Sequence, residues 1–507
     1  MKRADSIKSW LINTVSSKKF LWGVVALFVV QGIFLSFAID QPQSDSRDTD
    51  NYLYRTAGVV PDGNRHMAAI YHFAKRPILE GPWVQDMTAD ELMMGDLVRF
   101  PSYLYYYLVS FPVRVALALN FSDLAIITLV RMIGLLLGVL ALVVFSRITR
   151  RVTSNKFIQN TALLMLALTG SFAFLAPAEN YDVLAFLFWL LFLLASIKLV
   201  RDRELGQIYW MAVWFFLISV TKYTYIPFVV LTGLASLVYL GFEKVLTKKL
   251  IGQSFERLRE YISIHRAKSV LLAALMIFSI SLFAERIGGN LIEYQSFSPK
   301  CDRVHEAQDC RRFGVYKRNV DRLASVESGE ASTKDYNFFE YTLMWIARYY
   351  STTYYYLGHQ NVSDIRPSLF IAGGVSAIAL FIAALVVIIK GRALFSSRVE
   401  WYLLAVAGIL VVGQYLYNVM LFITYSGETY GHQGRYLMPA IGLIYLLALL
   451  VVYKFYKLII PKYRVWVFWL LVVFSVVLIW TNSALVNLIY HAQDPAWYSQ
   501  WFKWLAP

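Results

Sequence analysis

Charge is what this sequence is short of. Only 16 % of its 507 residues are Asp, Glu, Lys or Arg, while 58 % are hydrophobic. Ordinary soluble domains run to about a quarter charged and about half apolar. The shortage excludes a soluble enzyme of two or three domains. The apolar excess excludes a disordered chain, which needs low hydrophobicity. Other absences narrow the class further. There is no G-x-x-x-x-G-K-[ST] loop, no G-x-G-x-x-G and no H-E-x-x-H, so nothing marks a nucleotide-phosphate cradle, a dinucleotide fold or a zinc protease. No internal repeat and no low-complexity linker is visible. Cysteine is down to Cys301 and Cys310. One such pair supplies too few ligands for a metal ion, but in an oxidising compartment it is placed to form a disulfide.

What is present is apolar sequence in long runs. A helix needs roughly 20 apolar residues to cross the hydrocarbon core. The pattern predicts an all-α polytopic membrane protein with about eleven spans, near 20–39, 124–146, 157–177, 183–199, 207–221, 225–242, 269–284, 368–389, 400–422, 434–453 and 466–486. The run over 207–242 is broken by Thr221-Lys222-Tyr223-Thr224-Tyr225-Ile226-Pro227, which reads as an outer turn.

Lys and Arg set the orientation. They crowd into alternate connections, including Lys2, Arg3, Lys8, Lys18 and Lys19, then Arg147, Arg150 and Arg151, then Lys244, Lys248 and Lys249. These connections belong inside. The expected organisation is a cytoplasmic segment over 1–19, a single transmembrane domain over 20–487 and an external tail over 488–507. Large external loops fall at about 40–123 and 285–367. The net charge of +15 divides into roughly +19 on the inside, roughly −5 outside and +1 from Arg131 within a span. The basic balance is therefore a topology signal and not a nucleic-acid footprint, and the bilayer is the expected partner.

Against an acidic outer side, a few polar groups at span ends stand out, because charge at membrane depth is costly and usually functional. Asp40 closes the first span. Asp62 and His66 lie in Pro61-Asp62-Gly63-Asn64-Arg65-His66. Pro101 to Tyr107 is aromatic and bounded by prolines, which suits a re-entrant or interfacial helix. Arg131 lies inside the second span, where a buried structural pair is as good a reading as a functional one. Glu179-Asn180-Tyr181-Asp182 fills one outer turn, and Lys222, flanked by Tyr223 and Tyr225, fills another. Glu428 precedes Gly431-His432-Gln433-Gly434-Arg435-Tyr436 at the start of a late span. If these turns converge, Lys222, His432 and Arg435 form a cationic cluster at the depth of a lipid phosphate, which Arg grips in a bidentate fork and Lys meets as a point charge. The competing reading is three cations snorkelling to headgroups. Residues 338–358 form an aromatic amphipathic segment carrying Arg348, suited to stacking on sugar or to anchoring in the interface.

These features resemble the C-class (GT-C) integral-membrane glycosyltransferases, and among them a bacterial family of polytopic membrane proteins of unknown function. The likeness rests on the long loop after span one with Pro61-Asp62-Gly63-Asn64-Arg65-His66, and on the Pro101–Tyr107 segment leading to Arg131. It rests also on the Lys222-x-x-Tyr225 turn and on Gln433-Gly434-Arg435-Tyr436-Leu437-Met438-Pro439, the most specific of the four. One departure is Gly63, where the family motif carries an acid. The resemblance implies a GT-C-like fold in a bacterial inner membrane with its active site on the outer face. It implies a polyprenyl-phosphate-linked sugar as donor and a glycan, lipid or protein as acceptor. Asp62 or Asp40 would be the base, with His66 orienting it or binding sugar. Arg435, Lys222, His432, Gln433 and Tyr436 would hold the lipid phosphate. Tyr181, Asp182, Tyr225, Arg348 and Glu428 would contact sugar or acceptor. No cofactor is required, and a divalent cation is compatible with the chemistry. An outer-face oligosaccharide polymerase or ligase using lipid diphosphates is the first alternative, since the second loop holds Arg303, Arg311, Arg312, Arg318 and Arg322. A lipid-linked sugar flippase is the second.

Overall fold

A computed structural model describes residues 2–39, 62–78, 81–242, 252, 256, 266–331, 336–354, 395, 397–458 and 469. Among these the regular structure is helical, with no strand. Seven helices are long and apolar enough to cross a membrane, and three shorter apolar helices accompany them. Such a set suggests an integral membrane protein. The predicted span at 368–389, that at 466–486 apart from Trp469, and Asp40 lie outside the described residues.

In chain order, α1 (Lys2–Val15) precedes α2 (Lys18–Ala38), whose first turn is capped by the Ser17 side chain accepting from the Phe20 N–H. Next come α3 (Gly63–Lys75) and α4 (Leu104–Ala118). The latter is an apolar helix of 15 residues with Pro112 inside it, starting three residues after Pro101 and running well beyond Tyr107. Then follow α5 (Asp123–Val152), α6 (Lys156–Leu168), α7 (Asp182–Asp202), α8 (Gln207–Thr221) and α9 (Ile226–Phe242). The span expected over 157–177 is divided at Thr169, with a separate helix at Gly170–Leu175. The apolar run over 207–242 breaks where its lysine, tyrosines and proline predict, through a 3-10 turn at Tyr223–Tyr225. The remaining long elements are α10 (Arg266–Phe283), α11 (Gly314–Glu327), α12 (Phe338–Tyr354), α13 (Arg398–Thr424) and α14 (Met438–Leu458).

The bundle centres on α7, enclosed by α5, α8, α9 and α14. Apolar burial drives little association within lipid, so close packing and polar ties must hold helices together. Both are visible here. A Cβ on Gly134 would lie 2.4 Å from the Ala176 carbonyl oxygen, so α5 reaches the 176–178 segment only because that position is glycine. Two positions above it in the sequence, Met132 is preceded by Arg131, wholly buried, whose Nε donates to Glu179 Oε1 at 2.7 Å. Its Nη1 donates to the Ser36 and Ile39 carbonyls at 3.1 and 2.8 Å. Arg131 is thus a structural clasp. It joins the end of α2 to α5 and to the 178–181 turn, and so fixes the turn that carries Asp182.

Candidate functional site

The first acid is set by an unusual backbone. Asp62 precedes α3 with φ of 58°, in the left-handed region that Asp and Asn tolerate better than most residues. Its carbonyl accepts the His66 N–H at 2.9 Å, while its carboxylate caps nothing in the helix. That carboxylate turns instead to two guanidiniums, Arg65 Nη1 at 3.3 Å and Arg435 Nη2 at 3.3 Å. One helical turn along, His66 is buried against α4. Its Nδ1 lies 2.7 Å from the Tyr106 hydroxyl, and its ring meets Tyr181 edge-on at 5.1 Å. Among the described residues no group bonds its Nε2. Burial outweighs the pull of Asp62 and Asp182 and holds the His66 pKa down to about 4, so the imidazole is neutral near pH 7.

The second acid belongs to the Ala178–Tyr181 turn. Asp182 opens α7, where the helix dipole favours a carboxylate, and its N–H donates to Asn180 Oδ1 at 2.7 Å. The side chain is buried. Lys222 Nζ donates to its Oδ1 at 2.5 Å, and its Oδ2 lies 3.8 Å from Arg435 Nη1. Lys222 ends α8, and its turn is pinned to the segment before α4. The Tyr103 N–H donates to the Val220 carbonyl at 3.0 Å, and the Tyr223 N–H to Ser102 Oγ at 3.1 Å. Three aromatic rings enclose the ammonium: Tyr436 at 4.6 Å, Tyr225 at 5.0 Å and Tyr181 at 5.7 Å. Such faces compensate a desolvated cation.

Arg435 comes from the 3-10 turn Gly434–Leu437 that leads into α14. The glycine has a steric reason. A Cβ there would meet Thr353 Oγ1 at 2.2 Å and its backbone nitrogen at 2.4 Å, and the Gly434 N–H donates to Thr352 Oγ1 at 2.7 Å. Backbone contact with α12 therefore sets the depth of Arg435. Gly434→Ala is expected to push this turn off α12 and cut any Arg435-dependent activity at least tenfold, a loss of about 1.4 kcal/mol in transition-state stabilisation. A helical content and expression level near wild type would accompany it, and unchanged activity would disprove the steric argument.

Asp62, His66, Tyr181, Asp182, Lys222, Tyr225, Arg435 and Tyr436, separated widely in sequence, thus converge at one end of the bundle. His432, Arg348 and Glu428 make other contacts. His432 Nε2 lies 3.0 Å from the Tyr341 hydroxyl inside an aromatic cluster, and burial holds its pKa down to about 4. Its imidazole is therefore neutral near pH 7. Arg348 donates to Thr429 Oγ1, and Glu428 pairs with Arg322 at 3.4 Å. Gln433 sits beside Gly434, and its carbonyl accepts the Tyr436 N–H at 3.1 Å. A further cation beside Asp62 is Arg65, to which the sequence alone assigns no role. Its signal was spacing, since Asp62, Arg65 and His66 fall on one turn of helix. Tyr106 was missed as well, being one of three consecutive tyrosines that only the packing of α4 on α3 distinguishes.

A lid of loop structure adjoins this cluster. Cys301 and Cys310 form a disulfide with Leu92 packed on it. His305 Nε2 lies 3.0 Å from Asp96 Oδ1, and Arg312 pairs with Asp90. The two loops are thereby tied together. Phe313, next after Arg312, stacks on the Arg65 guanidinium at 4.8 Å, in space left open by Gly95, where a Cβ would lie 3.1 Å from Arg65 Nη2. Among the described residues no group of three or more His, Cys, Asp or Glu side chains is arranged to hold a metal ion.

The buried imidazoles make stability depend on pH. Unfolded histidine titrates near 6.5, so between about pH 4 and 6.5 the unfolded chain binds protons that His66 refuses when folded. The stabilisation is complete above about pH 6.5 and is lost as pH falls toward 4. His432 acts in the same sense. The thermal midpoint in detergent is expected to fall between about pH 7 and about pH 5, and His66→Gln should flatten part of that fall. An identical pH profile in the variant would refute the assignment.

No known protein-family description matches the chain, and no curated protein matches it.

Proposed function

We propose that this protein is an inner-membrane glycosyltransferase. It moves a sugar from a polyprenyl-phosphate donor to a cell-surface glycan, lipid or protein acceptor on the outer face, with inversion. The observation that carries the reading is the convergence of two carboxylates, Asp62 and Asp182, with Lys222 and Arg435. The charge bias of the loops supports an outward orientation for that end of the bundle. Nucleotide sugars stay in the cytoplasm, so a donor used there is lipid-linked and its phosphate sits at headgroup depth.

In this chemistry the acceptor hydroxyl attacks the anomeric carbon while Asp62 takes its proton. The bond from the anomeric carbon to the phosphate oxygen breaks, and its electron pair leaves with the lipid phosphate. Arg435 and Lys222 meet the charge that grows there. One carboxylate suffices, because the phosphate leaves without a general acid, unlike the paired carboxylates of a glycosidase. Neutral His66 offers Nε2 as a hydrogen-bond partner for a sugar hydroxyl. Asp182 holds Lys222 in place. Of the five arginines that would favour a diphosphate-using polymerase, four contact protein groups, Arg303 the Tyr294 carbonyl, Arg312 Asp90, Arg318 the Tyr430 ring and Arg322 Glu428, and Arg311 is exposed.

The test is mass spectrometry of surface glycans from cells with and without the gene. Loss of one branch sugar supports the proposal. Shortened polymer with branches intact, or lipid-linked sugar accumulating on the inner leaflet, overturns it in favour of a polymerase or a flippase respectively.

A further inference from the structure

We propose that Asp62 and the donor phosphate compete for Arg435, so that phosphate binding releases the carboxylate that then acts as base. The inference rests on the reading of Arg435 as a phosphate ligand and adds to it an order of events. The guanidinium fork is engaged on both sides, with Nη2 3.3 Å from Asp62 and Nη1 3.8 Å from Asp182. A phosphate monoester gripped by both Nη groups occupies the positions these carboxylates hold. The two acids differ in how readily they yield. Asp182 is buried, and Lys222 grips it at 2.5 Å. Asp62 is 32 % exposed, and Arg65, which also pairs with it, is 35 % exposed and 3.3 Å away. Asp62 is therefore the group that moves. While it shares Arg435 its carboxylate is stabilised as an anion and is a poor base; parted from Arg435 it is a better one. The base is thus released only when a donor phosphate is in place, which disfavours proton abstraction without a donor.

The competition has a counterintuitive consequence, since removing an acid that the chemistry needs should tighten anion binding. Asp62→Asn and Asp62→Gly both remove the charge and both tolerate the positive φ at this position. The full chain is placed in nanodiscs of phosphatidylcholine, and equilibrium binding of undecaprenyl phosphate, inorganic phosphate and undecaprenol is measured. Both variants are expected to bind undecaprenyl phosphate about three- to fivefold more tightly than wild type, the scale of a partly exposed ion pair. Undecaprenol binding should not change. Parallel tightening of inorganic phosphate supports the proposal with the phosphate alone as the recognised group. Tightening confined to undecaprenyl phosphate supports it with the isoprenoid chain required. Unchanged or weaker affinity in both variants, with Arg435→Ala still weakened, overturns the competition and leaves the site reading standing. Wild-type affinity in Arg435→Ala overturns the site reading, and the competition with it.

Discussion

Arg435→Ala is expected to abolish sugar transfer, by at least a hundredfold, while the protein is made and folded at wild-type levels. The scale is that of removing one preorganised donor from a group that gains charge in the transition state, roughly 10²–10³ in rate. Arg435 is only 7 % exposed, so water supplies little of what the guanidinium would lose. Its side chain makes polar contacts to Asp62 and Asp182, and each has a second cation, Arg65 and Lys222. Truncation therefore strands no carboxylate, which is why the fold should survive. Arg435→Lys should recover little, because a point charge does not reproduce a planar fork. Asp62→Asn should lose transfer to a similar degree. The two variants then separate by binding: one loses affinity for phosphate and the other gains it. The measurement is the glycan profile of a deletion strain carrying each variant, with membrane protein levels as control. Full complementation by both would remove Asp62 and Arg435 from the chemistry.

The sequence revealed the parts of this site that are expensive to place. Lys222 and Arg435 could be singled out because they end apolar runs on an otherwise acidic side, although position alone left snorkelling to headgroups as the competing reading. The long helices were legible for a related reason: apolar runs such as those within α5, α7 and α13 have no soluble alternative. Partner choice was not legible. Arg65 looks like any loop cation until Phe313 is seen stacked on it, with Gly95 close to both, beside Asp62. His432 sits two residues from Gly434, yet it turns toward Tyr341 and is neutral, because burial depends on helices far away in sequence. Arg131 had an evident depth but no evident partner. Its clasp on Glu179 and the end of α2 resolves it toward structure, and structure here has a use, since the clasped turn presents Asp182. The Gly in Gln-Gly-Arg-Tyr was legible as a motif and gains a cause only from the approach of Thr353.

The second large effect should be on folding, at the Lys222–Asp182 pair. Both side chains are 2 % exposed. A buried pair that loses one member typically costs about 3–5 kcal/mol, because the remaining charge keeps its desolvation penalty without its partner. The two halves are not equivalent here. Lys222→Met leaves Asp182 with Arg435 at 3.8 Å, near enough to close on it. Asp182→Leu leaves two cations, Lys222 and Arg435, side by side, with only the Tyr181, Tyr225 and Tyr436 rings to compensate the ammonium. Asp182→Leu should therefore be the more damaging single substitution, with a loss toward the upper end of that range, and Lys222→Met should fall toward the lower end. Replacing both removes both penalties, so the double variant should unfold at a higher temperature than Asp182→Leu alone and still fail to transfer sugar. Thermal unfolding of the purified protein in detergent reads the first effect, and complementation reads the second. A double variant no more stable than Asp182→Leu would mean that the pair is not coupled. A stable double variant with full activity would mean that Lys222 does nothing but hold the fold.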